Sequence, residues 1–372
     1  MKYPLIEFSQ LVVKELLSRT GKVEAKDKHL QAAVDWLKLA HDKANSEGVS
    51  YGYSIKGGWR EPYRETTGYI AVTFFNLATF LDDKGYYERA IKMCDWELKV
   101  QNNDGSISNP KFYPDQGIVF DTGQVLFGLV RAYKESKNER YLKAGIRAAQ
   151  WLVDVSDDND RWTRCTHKGI PHVYNSRVAW AMLLLNQINP EEKWLRVAKA
   201  NLDFAVEQLK NGWFEQCAFE TGKAPFTHTI AYAIRGLYEA SQILDEVKYL
   251  SAADEVSRSC ISKMKASGFI PGQIDTNGNT IENYCCLTGN CQLSIIWAKM
   301  FKLTGDKLFK EAAVSALKYV MKAQILDTGN GNYRGAIAGS LPIWGPYSRL
   351  TFPNWPTKFF IDAMIECWEW LD

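Results

Sequence analysis

The chain has 372 residues, 46% of them hydrophobic and 24% charged, which supplies a large core within an ordinary water-facing composition. Lys+Arg 45 against Asp+Glu 43 leaves a formal net charge of +2, so there is no basic excess or polybasic patch of the kind that binding to nucleic acid or to a membrane surface requires. No run approaches the ~20 uncharged apolar residues of a membrane span. The opening stretch "MKYPLIEFSQLVVKELLSRT" carries Glu7, Lys14 and Glu15 among its apolar residues, so it reads as a helix near 5–19 and not as a signal peptide, and the expected location is cytoplasmic.

Beyond that leading helix, two kinds of helical pattern alternate to the end of the chain. Amphipathic segments lie near 28–45, 87–101, 140–154, 193–210, 247–265 and 307–323, with "KWLRVAKANLDFAVEQLK" as the type: apolar residues at three-four spacing and charges on the opposite face. Between them lie more apolar segments near 66–82, 121–135, 173–188, 226–242, 286–303 and 356–371, of which "VYNSRVAWAMLLLNQI" is nearly uncharged and must be buried on most sides. The links from apolar to amphipathic helix are short ("DDKGY", "SKNER", "TGDK"), whereas those returning to the next apolar helix are long, such as 102–120 and 324–355. The long links repeat a glycine shortly before an apolar or aromatic residue ("NNDGSI", "KNGWF", "ASGFI", "GNGNY"), as a turn followed by an anchor. A helical hairpin repeated with a period of roughly 50–60 residues implies a repeat architecture. Six inner and six outer helices predict an all-α fold, an (α/α)6 toroid or six-hairpin barrel with an extra N-terminal helix, as one domain over 1–372. An open solenoid is the alternative.

In a closed ring the long links gather at one end, where the inner helices begin and their free N–H groups favour anions. The polar residues at those starts are the candidates: Glu65 in "YRETTGY", Asp121 in "FDTGQ", Tyr174, Asn175 and Arg177 in "PHVYNSR", His228 in "FTHT", Glu282 and Tyr284 in "IENYCC" and Asn354 in "FPNWPTK". Loop residues Trp59, Arg60, Arg164, Trp344 and Tyr347 stand where they could close over a ligand. Asp121, Thr66 and Asn354 are also good helix N-caps, and capping alone could select them. An arginine near the start of an almost uncharged inner helix, Arg177, calls for an anionic partner. The eight cysteines show no CxxC pair, and the Cys285, Cys286 and Cys291 cluster reads as buried thiols; no metal and no cofactor are expected.

"FDTGQVLFGL", "YRETTGYI", "GNCQLSIIWAKMFKLTGD" and "LPIWGPYSRLTFPNWPTKFFIDAM" resemble the VpsJ-type polysaccharide-biosynthesis proteins from about Tyr51 to the C-terminus. The resemblance implies an (α/α)6 toroid working with the assembly machinery of exopolysaccharide or surface glycan. It transfers no catalytic residue. More distantly the pattern is similar to six-hairpin glycosidases, uronate lyases, glucuronyl epimerases and terpenoid cyclases. The aspartate-rich acid motif of the cyclases is missing here.

Three functions follow. A glycoside hydrolase would use paired carboxylates, Glu65 and Asp121. A uronate lyase or C5-epimerase would use His228, Tyr174 or Tyr284 as base or acid, with Arg60, Arg164 or Arg177 on the uronate carboxylate. A non-catalytic glycan-binding or assembly factor would need neither. In each case the ligand is an oligosaccharide or polysaccharide, with uronate-containing chains among the candidates. Trp59, Trp344, Tyr347, Glu282 and Asn354 are expected to bind it.

Overall fold

The structure, a computed structural model, describes residues 23–371 together with Ser9 and residues 11–13; the leading helix expected near 5–19 falls largely outside the described residues. Six amphipathic helices form an outer layer: α1 (Lys26–Asp42), α3 (Lys84–Val100), α5 (Glu139–Asp154), α7 (Glu192–Glu207), α9 (Val247–Ser262) and α11 (Lys307–Ala323). Six apolar helices form an inner layer: α2 (Arg64–Phe80), α4 (Val119–Ser136), α6 (Ser176–Asn186), α8 (Thr227–Leu244), α10 (Leu287–Thr304) and α12 (Asn354–Glu366). Each inner helix packs on the next, and α12 packs on both α1 and α2, so the ring is closed and the solenoid alternative falls. This is the (α/α)6 toroid. Among the described residues no helix is long and apolar enough to cross a membrane.

The sequence explains the asymmetry of the links. Asp83, Asn138 and Asp306 cap α3, α5 and α11 with their side chains, which lets the short turns reverse the chain at once. At the other end the long links carry short strands, β1 (Gly52–Ser54) to β11 (Thr351–Pro353), paired as small antiparallel ribbons. One sheet, in the order β11, β1, β2 (Gly58–Trp59), joins the last long link to the first and so ties the ring shut. Asn354 belongs to the same closure: its amide donates to the Ser50 carbonyl at 2.8 Å and to Thr66 Oγ1 at 2.8 Å.

The repeated glycines pin each link to the next outer helix. Gly105, Gly268 and Gly335 all have positive φ, and a Cβ on any of them would lie within 2.4 Å of a backbone carbonyl oxygen, of Arg147, Ser315 and Ala32 respectively. Gln101 and Gln324 lock two of these turns, donating to the Gly105 and Gly335 carbonyls at 2.9 and 2.8 Å. The equivalent turn in the last repeat is therefore "YRGAI" at Gly335, and not "GNGNY", whose Gly331 has open space around it. Downstream, Thr67, Thr122 and Thr357, each in the first two turns of its inner helix, accept the backbone N–H of Val49, Ile107 and Ile337 at 2.9, 2.9 and 3.0 Å. The hairpin repeat is thus a repeat of hydrogen bonds as well as of helices.

The inner helices meet almost backbone to backbone. A Cβ on Gly68 of α2 would sit 2.5 Å from Val125 Cα of α4, and one on Gly236 of α8 would sit 2.4 Å from the Ser176 carbonyl carbon of α6. Gly68→Ala should therefore destabilise the protein by about 1–3 kcal/mol or more, since the clash is with main chain that cannot rotate away. Gly57→Ala, at an exposed turn with nothing within 4 Å, should be nearly neutral. Thermal melts of the two variants beside wild type check this.

Candidate active site

At the long-link end the inner-helix starts surround a cavity of about 360 Å³, within the range of small-ligand pockets. Its floor and walls are largely aromatic: Tyr51, Tyr63, Phe120, Tyr174, Phe219, Phe226, Tyr232, Tyr347 and Trp355, with Phe112 and Tyr113 toward one side. Set into them are Glu65, Asp121, Asn109, His167, His228 and Thr229.

The placement of the two carboxyls follows from the repeat. Glu65, Phe120 and Trp355 each stand two residues before the threonine that clasps the incoming link, and all three face the cavity. Asp121 stands one residue before Thr122. Helix α4 begins at Val119, with Ile118 at the N-cap position, so Asp121 lies inside the first turn and is not the N-cap. Thr66 and Asn354 likewise lie within their helices, and the expected capping roles are corrected at all three positions.

One hydrogen-bonded chain connects the pair. The Asn109 amide donates to Asp121 Oδ2 at 3.0 Å and to Tyr63 Oη at 2.9 Å, and Tyr63 Oη donates to Glu65 Oε2 at 2.7 Å. Burial raises the pKa of Asp121 well above the usual carboxylate range, and the charge of Glu65 raises it further. Burial also pushes Glu65 up, to about 7, but the Tyr63 hydroxyl and the Arg177 guanidinium both favour its ionised form. Asp121 therefore keeps its proton to higher pH than Glu65, and above about pH 7 the pair carries one proton, on Asp121, and one negative charge, on Glu65.

The imidazoles are neutral. Burial pushes His228 down to about 3; its Nδ1 lies 3.8 Å from Cys286 Sγ, and its ring packs 4.4 Å from that of Tyr347. His167 Nδ1 lies within hydrogen-bond distance of Tyr113 Oη, at 3.1 Å, and the same hydroxyl accepts from the Lys168 N–H. His172, stacked 4.5 Å from Tyr174, supports the wall from behind. All eight cysteines are free thiols, seven of them buried, and among the described residues no group of His, Cys, Asp or Glu is gathered for a metal.

Of the expected site residues, Glu65, Asp121, Tyr174, His228 and Tyr347 line this cavity. The others lie elsewhere, for identifiable reasons. Arg177 is beneath the floor, where its guanidinium donates to Gln124 Oε1 at 2.7 Å and sits 4.8–5.8 Å from the rings of Phe127, Tyr232, Trp180, Tyr69 and Phe359. Aromatic faces and an amide hold it in place of the carboxylate expected. The Tyr284 ring fills the space over Gly272 and its hydroxyl is bound to Gln273 Oε1 at 2.9 Å. Trp59 stacks on Trp36 and donates to Asn332, while Arg164 caps the end of α5 through the carbonyls of Asp154, Val155 and Ser156. Glu282 is exposed and paired with Lys265, Asn354 closes the ring, and Trp344 stands outside the lining. Arg60 is at the mouth, 5.8 Å from the Tyr51 ring. Sequence reasoning missed Tyr63, Asn109, Tyr113 and His167. The long link "NPKFYPDQG" marked the region, but only the fold turns Asn109 toward Asp121.

The family profile described as the ulvan lyase N-terminal domain matches residues 116–289, just under half of the chain. No curated protein sequence matches. Solved structures match over nearly the whole chain. An unsaturated glucuronyl hydrolase from Bacillus sp. GL1, described as responsible for the degradation of glycosaminoglycan, superposes with a TM-score of 0.73 at 13% identity, covering 93% of this chain and 98% of its own. An unsaturated glucuronyl hydrolase specific for heparin gives 0.72 at 14%, covering 92% and 97%. The cellobiose 2-epimerase of Bacillus thermoamylovorans gives 0.70 at 14%, covering 91% and 98%. At such identities the likeness is one of fold.

The electrostatics of the pair can be read without a substrate. An unfolded Asp121 ionises near pH 4, whereas the folded one stays protonated well above it, so the folded state binds the extra proton and stability falls as pH rises from about 4. Asp121→Asn keeps an oxygen for the Asn109 amide and removes the titration. It should melt above wild type at pH 7–8, with the gain vanishing below about pH 4. Melting curves across pH measure this directly.

Proposed function

We propose that the chain is a glycoside hydrolase-type enzyme that cleaves an oligosaccharide in this cavity. The observation that carries the reading is the buried Glu65–Asp121 pair, wired through Tyr63 and Asn109, with one member held protonated and the other favoured as the anion. Hydrolysis of a glycosidic bond needs both forms at once: an acid at the leaving oxygen and a carboxylate that activates water or attacks the anomeric carbon. Asp121 is the acid and Glu65 the carboxylate. The aromatic walls give apolar faces for the C–H faces of a sugar ring, and Tyr174, Tyr347 and His228 supply hydrogen bonds to its hydroxyls. The sugar-active toroids that superpose on the chain support this reading. The resemblance of its motifs to VpsJ-type proteins is what supports reading the reaction as a step in the biosynthesis of exopolysaccharide or surface glycan.

One observation favours a second reading. The ulvan lyase profile spans Asp121, Tyr174 and His228, and a lyase would use a tyrosine or histidine to remove the proton beside a uronate carboxylate. That reaction also needs a cation on the carboxylate, and the cavity lining contains neither Lys nor Arg among the described residues.

Incubation with neutral and acidic oligosaccharides, including unsaturated glucuronyl disaccharides, followed by product mass, separates the two. A gain of one water on cleavage is expected, whereas cleavage with a new conjugated alkene would overturn hydrolysis in favour of the lyase. Asp121→Asn and Glu65→Gln should each lower turnover by about 10²–10⁴-fold while the fold persists. Turnover should rise with pH through about 7 as Glu65 ionises. Tyr63→Phe removes the donor to Glu65 and should shift that limb to higher pH.

A further inference from the structure

The charges around the mouth bear on which glycan enters. Inside the cavity the charge is that of Glu65 once it ionises, above about pH 7; burial keeps both His228 and His167 below the usual imidazole range and so neutral. The cations gather outside. The Arg60 guanidinium lies 5.8 Å and the Lys111 ammonium 5.5 Å from the ring centroid of Tyr51, which lines the cavity. Lys111 also lies 4.6 Å from the ring of Phe112, another lining residue and 55% exposed. Among the described residues neither cation has a carboxylate within 4.0 Å; Arg89, Arg131, Arg140, Arg161, Arg196, Arg235 and Arg258 are ion-paired, and Arg64, Arg147, Arg164, Arg177 and Arg334, which are not, donate to hydroxyl, amide or carbonyl oxygens instead. Two like charges over one ring repel each other. Burial and the neighbouring Arg60 together draw the Lys111 ammonium below its usual range. An apolar ring in water beside two unpaired cations is a surface that lacks its complement.

We propose that Arg60 and Lys111 form an anion subsite for the carboxylate or sulfate ester of the second sugar of the substrate, with Phe112 against that sugar's face, while the cavity takes a neutral terminal sugar. An acidic sugar within the cavity would lie buried against ionised Glu65 with no lysine or arginine touching it, which is costly. One sugar further out, the same group meets two cations at the cavity mouth. The proposal rests on the hydrolase reading and names the substrate class for it.

The test uses Asp121→Asn protein, in which turnover is slowed, and a panel of immobilised oligosaccharides. The panel is neutral in one arm, acidic on the terminal sugar in a second, and carries a carboxylate or a sulfate ester on the second sugar in two more. Retention should be strongest with the anion on the second sugar and should fall with added salt. Arg60→Ala with Lys111→Ala should lower that affinity, relative to the neutral counterpart, by about tenfold or more and remove most of its salt dependence. The two arms with the anion on the second sugar report which anion is read. Preference for a terminal acid, or an acidic preference that survives in the double variant, overturns the proposal. Cleavage of neutral glycans by the wild type with no preference for acid overturns the subsite and leaves the hydrolase reading standing. A panel of which nothing is retained or cleaved overturns both.

Discussion

The inner helices approach one another so closely at the site end that main chain meets main chain, and the rest of the structure depends on that approach. Gly68 lies against Val125, Gly128 against the Gly68 carbonyl, Gly236 against Ser176 and Arg177, and Gly289 against Thr227 and His228. A glycine in a helix weakens it locally by about 1 kcal/mol relative to alanine. Here the missing side chain is what allows the six inner helices to form a narrow ring. The narrow ring in turn brings residues from separate helix starts to one small cavity, and excludes enough water for burial to govern their protonation.

Burial alone would neutralise both carboxyls. The hydrogen-bonded chain breaks the symmetry between them. Tyr63 donates to Glu65, and Asn109 donates to both Tyr63 and Asp121, so the network is fully directed. Arg177, caged by aromatic rings below the floor, adds a positive field on the side of Glu65 without touching the cavity. The cage offsets part of the cost of a buried guanidinium, which even so is drawn down to about 10. A cation in the floor and a pair of cations at the mouth thus stand on opposite sides of a carboxyl pair. This is a polarity that suits a chain entering from the mouth with its reactive bond deep in the cavity.

Solved toroids share the fold of this chain and nothing finer, so the chemistry is read from its own residues. Hydrolases and an epimerase superpose on nearly the whole chain, while the lyase profile covers its middle part. A toroid of this kind is a scaffold for several reactions, and what distinguishes them is which polar groups the helix starts present. In this chain those groups are a split carboxyl pair, neutral imidazoles and aromatic walls.

Much of the architecture was determined by the sequence alone. Two alternating hydrophobic patterns, short links on one side and long ones on the other, and a recurrent turn glycine specify a helical-hairpin ring, because periodicity and turn chemistry are local properties. Glu65 and Asp121 were legible for the same reason, as ionisable groups at the starts of apolar helices. Tertiary structure alone decided the rest. Arg177 and Tyr284 occupy similar positions in sequence but turn to the floor and to a loop, since the direction of a side chain depends on the crossing of neighbouring helices and on where Gly272 leaves room. Asn109 and Tyr63 became the link between the carboxyls only when the third link folded against α2. Asp121 was shown not to be the N-cap because α4 starts two residues earlier than the hydrophobic pattern does: the N–H of Val119 finds the Cys165 carbonyl, at 2.8 Å, in a loop 46 residues away. Contacts of that range leave no periodic trace in a sequence.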